Sequence, residues 1–188
     1  MLIVATVMML SIPAIGSITR AKLRSQCGKL AGQMRGLYGE AALRGQTCRM
    51  VLDLDANAWW SECAAGRATI AAKEDAHNGA RDDEDKPALS RSEVEAAVRA
   101  QLDKKAAFAP AGEKVKLDGL TFSDVWVQHQ PEAYVKGTAF IYFFAGGQTE
   151  KAHVHLTDGN DTYTLLVSPL TGRVRVVNEK VDAKDDQS

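Results

Sequence analysis

From residue 1 to residue 19 the chain reads "MLIVATVMMLSIPAIGSIT", with no charged side chain and few polar ones. That is close to the ~20 apolar residues that cross a bilayer as a helix. Pro13 has to be taken up as a kink, which membrane helices tolerate better than soluble ones. No Lys or Arg precedes the run, as a secretory signal peptide requires. Beyond Arg20 the polarity changes but the helical period continues. Leu23, Cys27, Leu30, Met34, Leu37 and Ala41 recur at steps of four and three, one apolar stripe on a helix. Arg20, Lys22, Arg24, Lys29, Arg35 and Arg44 fall mostly off that stripe. Gly28, Gly32, Gly36 and Gly39 each weaken a helix by up to ~1 kcal/mol relative to alanine, and they let a neighbouring helix approach. The pattern predicts one helix over residues 2–44, apolar all round in its first half and on one side in its second. Domain packing is the plain expectation for the stripe. Leu23, Cys27, Leu30, Met34 and Leu37 are at the same time the candidate helix–helix assembly face.

The period then changes to two. In "TCRMVLDLDANAWWSEC", Cys48, Met50, Leu52 and Leu54 alternate with Arg49, Val51 and Asp53. Asp55-Ala56-Asn57 is turn chemistry, and Trp59-Trp60 opens a return strand, so the segment predicts a hairpin. Alternation puts one tryptophan inward and one outward, and Trp59 and Trp60 are the candidate interface aromatics, a residue type common in hot spots. Residues 64–92 lose all pattern and read as a polar insert. Ser92 and Glu95 are spaced as a capping box, and Val94, Val98 and Leu102 predict a short surface helix over 93–105. From Lys114 on the sequence reads as a β meander, with strands in "LTFSDVWVQH", "TAFIYFF", "KAHVHLT", "TYTLLVS" and "RVRVVNE". The acidic end, 182–188, is expected to fray. The fold class is α+β: a long N-terminal helix packed on an antiparallel sheet or sandwich. Its divisions are 1–19 (membrane half), 20–45 (amphipathic half), 46–181 (β domain) and 182–188 (tail).

Composition narrows the function. The 188 residues suffice for one core, and the net charge of −1 provides no global field for nucleic acid or acidic lipid. The three cysteines lack metal spacing. A hairpin turning at 55–57 pairs residues whose numbers add to about 111 or 112, so Cys48 and Cys63 fall opposite or nearly opposite each other. That makes them a disulfide candidate, which requires an oxidising compartment. Two separate thiols at the hairpin base are the alternative, and Cys27 is expected to be a buried thiol.

Catalytic chemistry finds no motif: there is no G-x-S-x-G elbow, H-E-x-x-H or Gly-rich phosphate loop. His153 and His155 share a strand face and could pair on a metal, but without a third ligand they read as an exposed face. Asp158, Asn160 and Asp161 could collect calcium, yet "DGND" between strands is more simply a turn. Arg173 and Arg175 share a strand face and could meet phosphate, but the acidic tail follows them. No cofactor, metal or nucleic acid is expected, and no enzyme.

Two further stretches carry a family resemblance. "KLAGQMRGLYGEAALRGQTCRMVLDLDANAWW" resembles a helix that ends in an A-x-x-R-G run and enters a first hairpin, and "GGQTEKAHVHLTDGNDTYTLLVSPLTGRVRV" resembles the C-terminal hairpins of the same proteins. With the apolar start, these are similar to the H-type minor pseudopilins of type II secretion (GspH) and the related FimT/FimU minor pilins. The resemblance implies a structural subunit at or near the tip of a periplasmic pseudopilus, supporting protein export. Its implied partners are the major and other minor pseudopilins. It also implies a single-pass anchor at 1–19 in a bacterial inner membrane, with the β domain in the periplasm. A minor pilin of a type IV pilus, with a DNA-uptake role, is the alternative. Family members begin with a basic leader, a glycine cut by prepilin peptidase and an acidic residue soon after, followed by methylation. None of these precedes the apolar run, so upstream codons encoding them are expected. Arg20, Lys22 and Arg24 alone would hold the β domain in the cytoplasm, and a basic leader reverses that balance.

Overall fold

The computed structural model describes residues 2–64 and 108–183, with side chains from residue 20 onward. All of the polar insert but Ala64, the expected helix over 93–105 with its capping box, and residues 184–188 lie outside the described residues. Among the described residues one helix, α1, runs Leu2–Arg44. It stops at Gly45, whose φ of 63° suits a residue without a side chain, and Gln46 N–H reaches back to the Ala41 carbonyl at 3.1 Å.

The described residues that follow form β1 Cys48–Asp53, β2 Ala58–Ala64, β3 Phe108–Pro110, β4 Val115–Lys116, β5 Thr121–Val127, β6 Thr138–Phe144, β7 Gln148–Thr149, β8 Ala152–Thr157, β9 Thr162–Val167 and β10 Val174–Val177. They form two sheets. The first has the order β3-β2-β1-β6-β7, with β4 also on β2, and the second has the order β10-β9-β8-β5. Every pairing is antiparallel. The fold is therefore α+β, one N-terminal helix packed on antiparallel sheets.

The core explains why the helix sits where it does. Leu23, Cys27, Leu30, Met34, Leu37 and Ala41 are all at most 1 % exposed. They share one cluster with Met50, Leu52, Ile141 and Phe143 of the first sheet and Val154, Leu165 and Val174 of the second. A fully buried Leu or Met contributes roughly 1.5–3 kcal/mol, so this stripe outweighs the propensity lost at the helix glycines.

Two expectations need correction. The C-terminal strands are not one meander. β6 leaves its sequence neighbour β5 and pairs with β1, while β8 returns to pair with β5. Among the later strands, β6 pairs with its neighbour β7, and β8, β9 and β10 run as consecutive neighbours. β6 is buried along Ala139–Phe143, on both faces, so it suits a place inside the first sheet. The second face of β1 is covered as well. Val51 packs with Phe140 and Tyr142, and Arg49 is only 6 % exposed. Its guanidinium lies 4.1 Å and 4.5 Å from the Phe108 and Phe140 ring centres and bonds Glu62 at 2.7 Å. A buried cation is tolerated because a carboxylate and two aromatic faces replace its water. The polar insert does not begin at residue 64, because Ala64 still pairs with Phe108 in the sheet.

Tyr38 ties the helix to the far ends of both sheets. Its hydroxyl donates to the Gly147 carbonyl at 2.7 Å and the Leu170 carbonyl at 3.3 Å, and its ring lies against Gly172. Gly172 has φ 59°, and a β-carbon there would overlap that ring. Gly172→Ala is therefore expected to destabilise the domain by about 1–3 kcal/mol through strain and overlap combined. Tyr38→Phe, which keeps the ring, should cost about 1 kcal/mol. Urea unfolding followed by circular dichroism checks both, and an alanine variant as stable as the parent would contradict the packing described.

Candidate functional site

The helix presents two different sides beyond Arg20. The expected assembly face, Leu23, Cys27, Leu30, Met34 and Leu37, is not available to another helix. All five side chains are buried against this chain's own sheets. The correction follows from the core, since the only apolar stripe of this half is consumed by the domain. The opposite side carries Gly28, Gly32 and Gly36, exposed and with nothing within 4 Å of where a β-carbon would sit. Nearer the apolar N-terminal run, Arg20 reaches sideways and bonds Asp161 of the β8–β9 turn at 2.6 Å. Arg35 donates to the Val174 carbonyl at the edge of the second sheet. Among the residues with described side chains, no helix is long and apolar enough to cross a membrane. The apolar run 2–19 continues the same helix, with its side chains outside the described set.

The first hairpin brings Cys48 opposite Cys63, and the two are joined by a disulfide, with Cα atoms 4.0 Å apart. Asn57 makes the turn, with φ 47°, a conformation asparagine accepts more easily than most residues. Its side-chain oxygen accepts from Phe122 N–H at 3.1 Å, tying the hairpin to β5. Trp59 is 5 % exposed and lies in the core. Trp60 is half-buried on the outer face. Its indole N–H donates to Glu62 at 2.7 Å, and the Lys114 ammonium lies 4.5 Å from a ring centre. Cys27 is a free thiol in the core, and burial pushes it up to about 12.

His153 and His155 are not an exposed face, as their spacing alone predicts; each is 1 % exposed. The chain after β10 folds back over them. Thr164 Oγ1 donates to the Glu179 carbonyl at 2.6 Å and accepts from Val181 N–H at 3.1 Å. The Val181 carbonyl lies 3.1 Å from His153 Nδ1 and 3.1 Å from His155 Nε2. His155 Nδ1 is 2.8 Å from Asp124 Oδ2, and Lys180 donates to Asp124 Oδ1 at 2.9 Å. Burial by itself would raise the Asp124 carboxyl. Hydrogen bonds from His155, Lys180 and Ser123 outweigh it and hold the group well below the usual carboxylate range. Both Nδ1 atoms and His155 Nε2 thus face protein oxygens, and among the described residues no three His, Cys, Asp or Glu converge as a metal site requires.

The turn at 158–161 uses its own oxygens. Asp158 Oδ1 accepts from Asn160 N–H at 2.9 Å and Asp161 N–H at 2.8 Å, and these bonds lower its carboxyl. With Asp161 on Arg20, Asp158, Asn160 and Asp161 make a turn and a helix anchor. Arg173 and Arg175 stand at the opposite edge of the second sheet from β5. Sequence reasoning missed Tyr38, Arg35 and the Asp124–His155–Lys180 group. Alternation could assign each to a face, but no local spacing links residues this far apart in the chain.

The architecture just described is that of a long-helix α+β protein with no recognisable catalytic constellation among the described residues. No family model and no curated protein matches the sequence. Among the solved structures similar to it are two of the minor pseudopilin EpsH from the type II secretion system of Vibrio cholerae. One is 10 % identical with a TM-score of 0.44, covering 84 % of this chain and 97 % of that one. The other is 9 % identical with a TM-score of 0.48, covering 87 % and 99 %.

Two measurements follow from this geometry. Alkylation of the folded, unreduced protein should leave Cys48 and Cys63 unlabelled and Cys27 slow to react. Reduction should then cost about 3 kcal/mol, the chain-entropy value for a loop of 15 residues. The Asp124 carboxyl, depressed in the folded state, stabilises the fold above the ordinary carboxylate value and loses that effect as pH falls below it. Asp124→Asn should therefore be less stable than the parent at about pH 7, with the gap narrowing toward about pH 3. An unchanged gap in urea unfolding at the two pH values would exclude the charged pairing.

Proposed function

We propose that the chain is a minor pseudopilin-like structural subunit, working by assembly with other pseudopilins of a type II secretion machine rather than by chemistry. In this reading residues 1–19 hold it in the inner membrane before extraction, and the β domain stands in the periplasm near the tip of a short filament. Prepilin peptidase and methylation act on the N-terminus once an upstream leader is present.

The observation that carries the reading is the division of labour on the helix. Its sheet-facing stripe is entirely used within the chain, while the side bearing Gly28, Gly32 and Gly36 is unobstructed. Small residues in one row allow helix backbones to approach closely. The sequence resemblance in the helix end, the first hairpin and the C-terminal hairpins points the same way. The disulfide at the hairpin base suits an oxidising compartment.

Gly32→Cys is the direct test. Treated with a short thiol crosslinker in membranes of the native host, this variant should yield products containing the major or another minor pseudopilin, identified by mass spectrometry. Deleting the gene should stop export of the secretion substrate and leave pili intact. Crosslinks to pilus subunits together with loss of pili would favour the type IV pilus alternative, and crosslinks to no pilin-like protein would count against both.

A further inference from the structure

Arg173 and Arg175 have no ion-pair partner among the described residues, unlike the buried Arg49, which pairs with Glu62. Arg175 lies opposite Leu166 across the β9–β10 pairing, and Ser168 N–H bonds the Arg173 carbonyl at 2.9 Å. Residues directly opposite in an antiparallel pair share a face. Val174 is turned into the core, so both arginines point away from the helix. Together with Lys151, Leu166, Ser168 and Pro169 they line a cleft of about 450 Å³.

The cleft is held stiffly. Gly172 N–H bonds the Ser168 carbonyl at 3.1 Å, Thr149 N–H bonds the Pro169 carbonyl at 2.8 Å, and Tyr38 holds Leu170 by its carbonyl. The Leu170 side chain at the tip of the same turn is 75 % exposed. Two planar guanidinium forks beside an apolar floor and a projecting leucine recognise carboxylates and an apolar side chain together. A polyphosphate is the poorer fit. Three cations neutralise only about three phosphates, which gives weak binding at physiological salt, and a chain of net charge −1 adds no long-range attraction.

We propose that this cleft docks an extended acidic segment of a partner protein. Its carboxylates engage Arg173 and Arg175, and an apolar side chain between them rests on Leu166 beside Leu170. The stiff turn limits the ordering cost of binding. The assignment stands on the cleft itself and does not depend on the secretion reading.

The experiment uses the full chain in detergent micelles and fluorescence anisotropy at about 0.1 M salt. The probes are a labelled hexapeptide of alternating glutamate and leucine, its glutamine analogue, and a labelled DNA duplex. The acidic peptide should bind saturably and the glutamine analogue should not. Arg173→Gln and Arg175→Gln should each weaken binding roughly tenfold, and Leu170→Ser several-fold, as expected for anchor residues. Unchanged circular dichroism should accompany each variant. Absence of saturable binding, equal binding of the glutamine analogue, or indifference to both arginine substitutions would overturn the proposal. Tighter binding of the duplex than of the acidic peptide would overturn it in favour of a nucleic-acid site.

Discussion

Everything in the domain depends on one stripe of helix. The two sheets are separate hydrogen-bonded units, and the helix packs on β1 and β6 of one and on β8, β9 and β10 of the other. Leu23 to Ala41 therefore do more than hide an apolar helix face. They supply the common core through which two small sheets become one structure. Neither sheet alone offers a second apolar layer of that length, and a sheet with one unpacked face is only marginally stable in water.

That constraint sets what the rest of the chain must do. Because the helix covers the inner faces, each outer face has to be finished locally. The first sheet does this with aromatic rings around the buried Arg49–Glu62 pair. The second does it by folding residues 178–182 back over His153 and His155 and pairing Lys180 and His155 with Asp124. In both places a charge is taken out of water only where an opposite charge and further hydrogen bonds replace the lost solvation. Tyr38, Arg35 and Arg20 extend the same logic to the helix flanks, where polar atoms of the helix complete backbone or side-chain groups of the second sheet and of turns in both sheets.

The two sides of the helix end up unlike each other. The helix is rigidly seated on one side and bare on the other, and the first hairpin is closed covalently at its base. The groups that could have been mistaken for chemistry, two histidines and a cluster of aspartates, are occupied with holding the chain together. The exception is Arg173 and Arg175, at the start of β10, which no ion pair occupies among the described residues.

Much of this was legible from local pattern. The four-and-three spacing of Leu23 to Ala41 marks a helix with one buried side, and the alternation of Cys48 to Leu54 with the turn at Asp55-Ala56-Asn57 marks the hairpin and its register. Both signals arise within a turn or two of chain, where period alone reports which side meets water. The short strands β3, β4 and β7 left no such mark, since two or three residues cannot display a period. Tertiary structure decided the remainder. It placed β6 beside β1 instead of β5, covered the second face of β1, buried His153 and His155 beneath the chain's own end, and turned the expected assembly stripe inward. Each of these is a choice among partners distant in sequence. Such choices are settled by total burial and by the pairing of every buried polar group, quantities that no single segment contains.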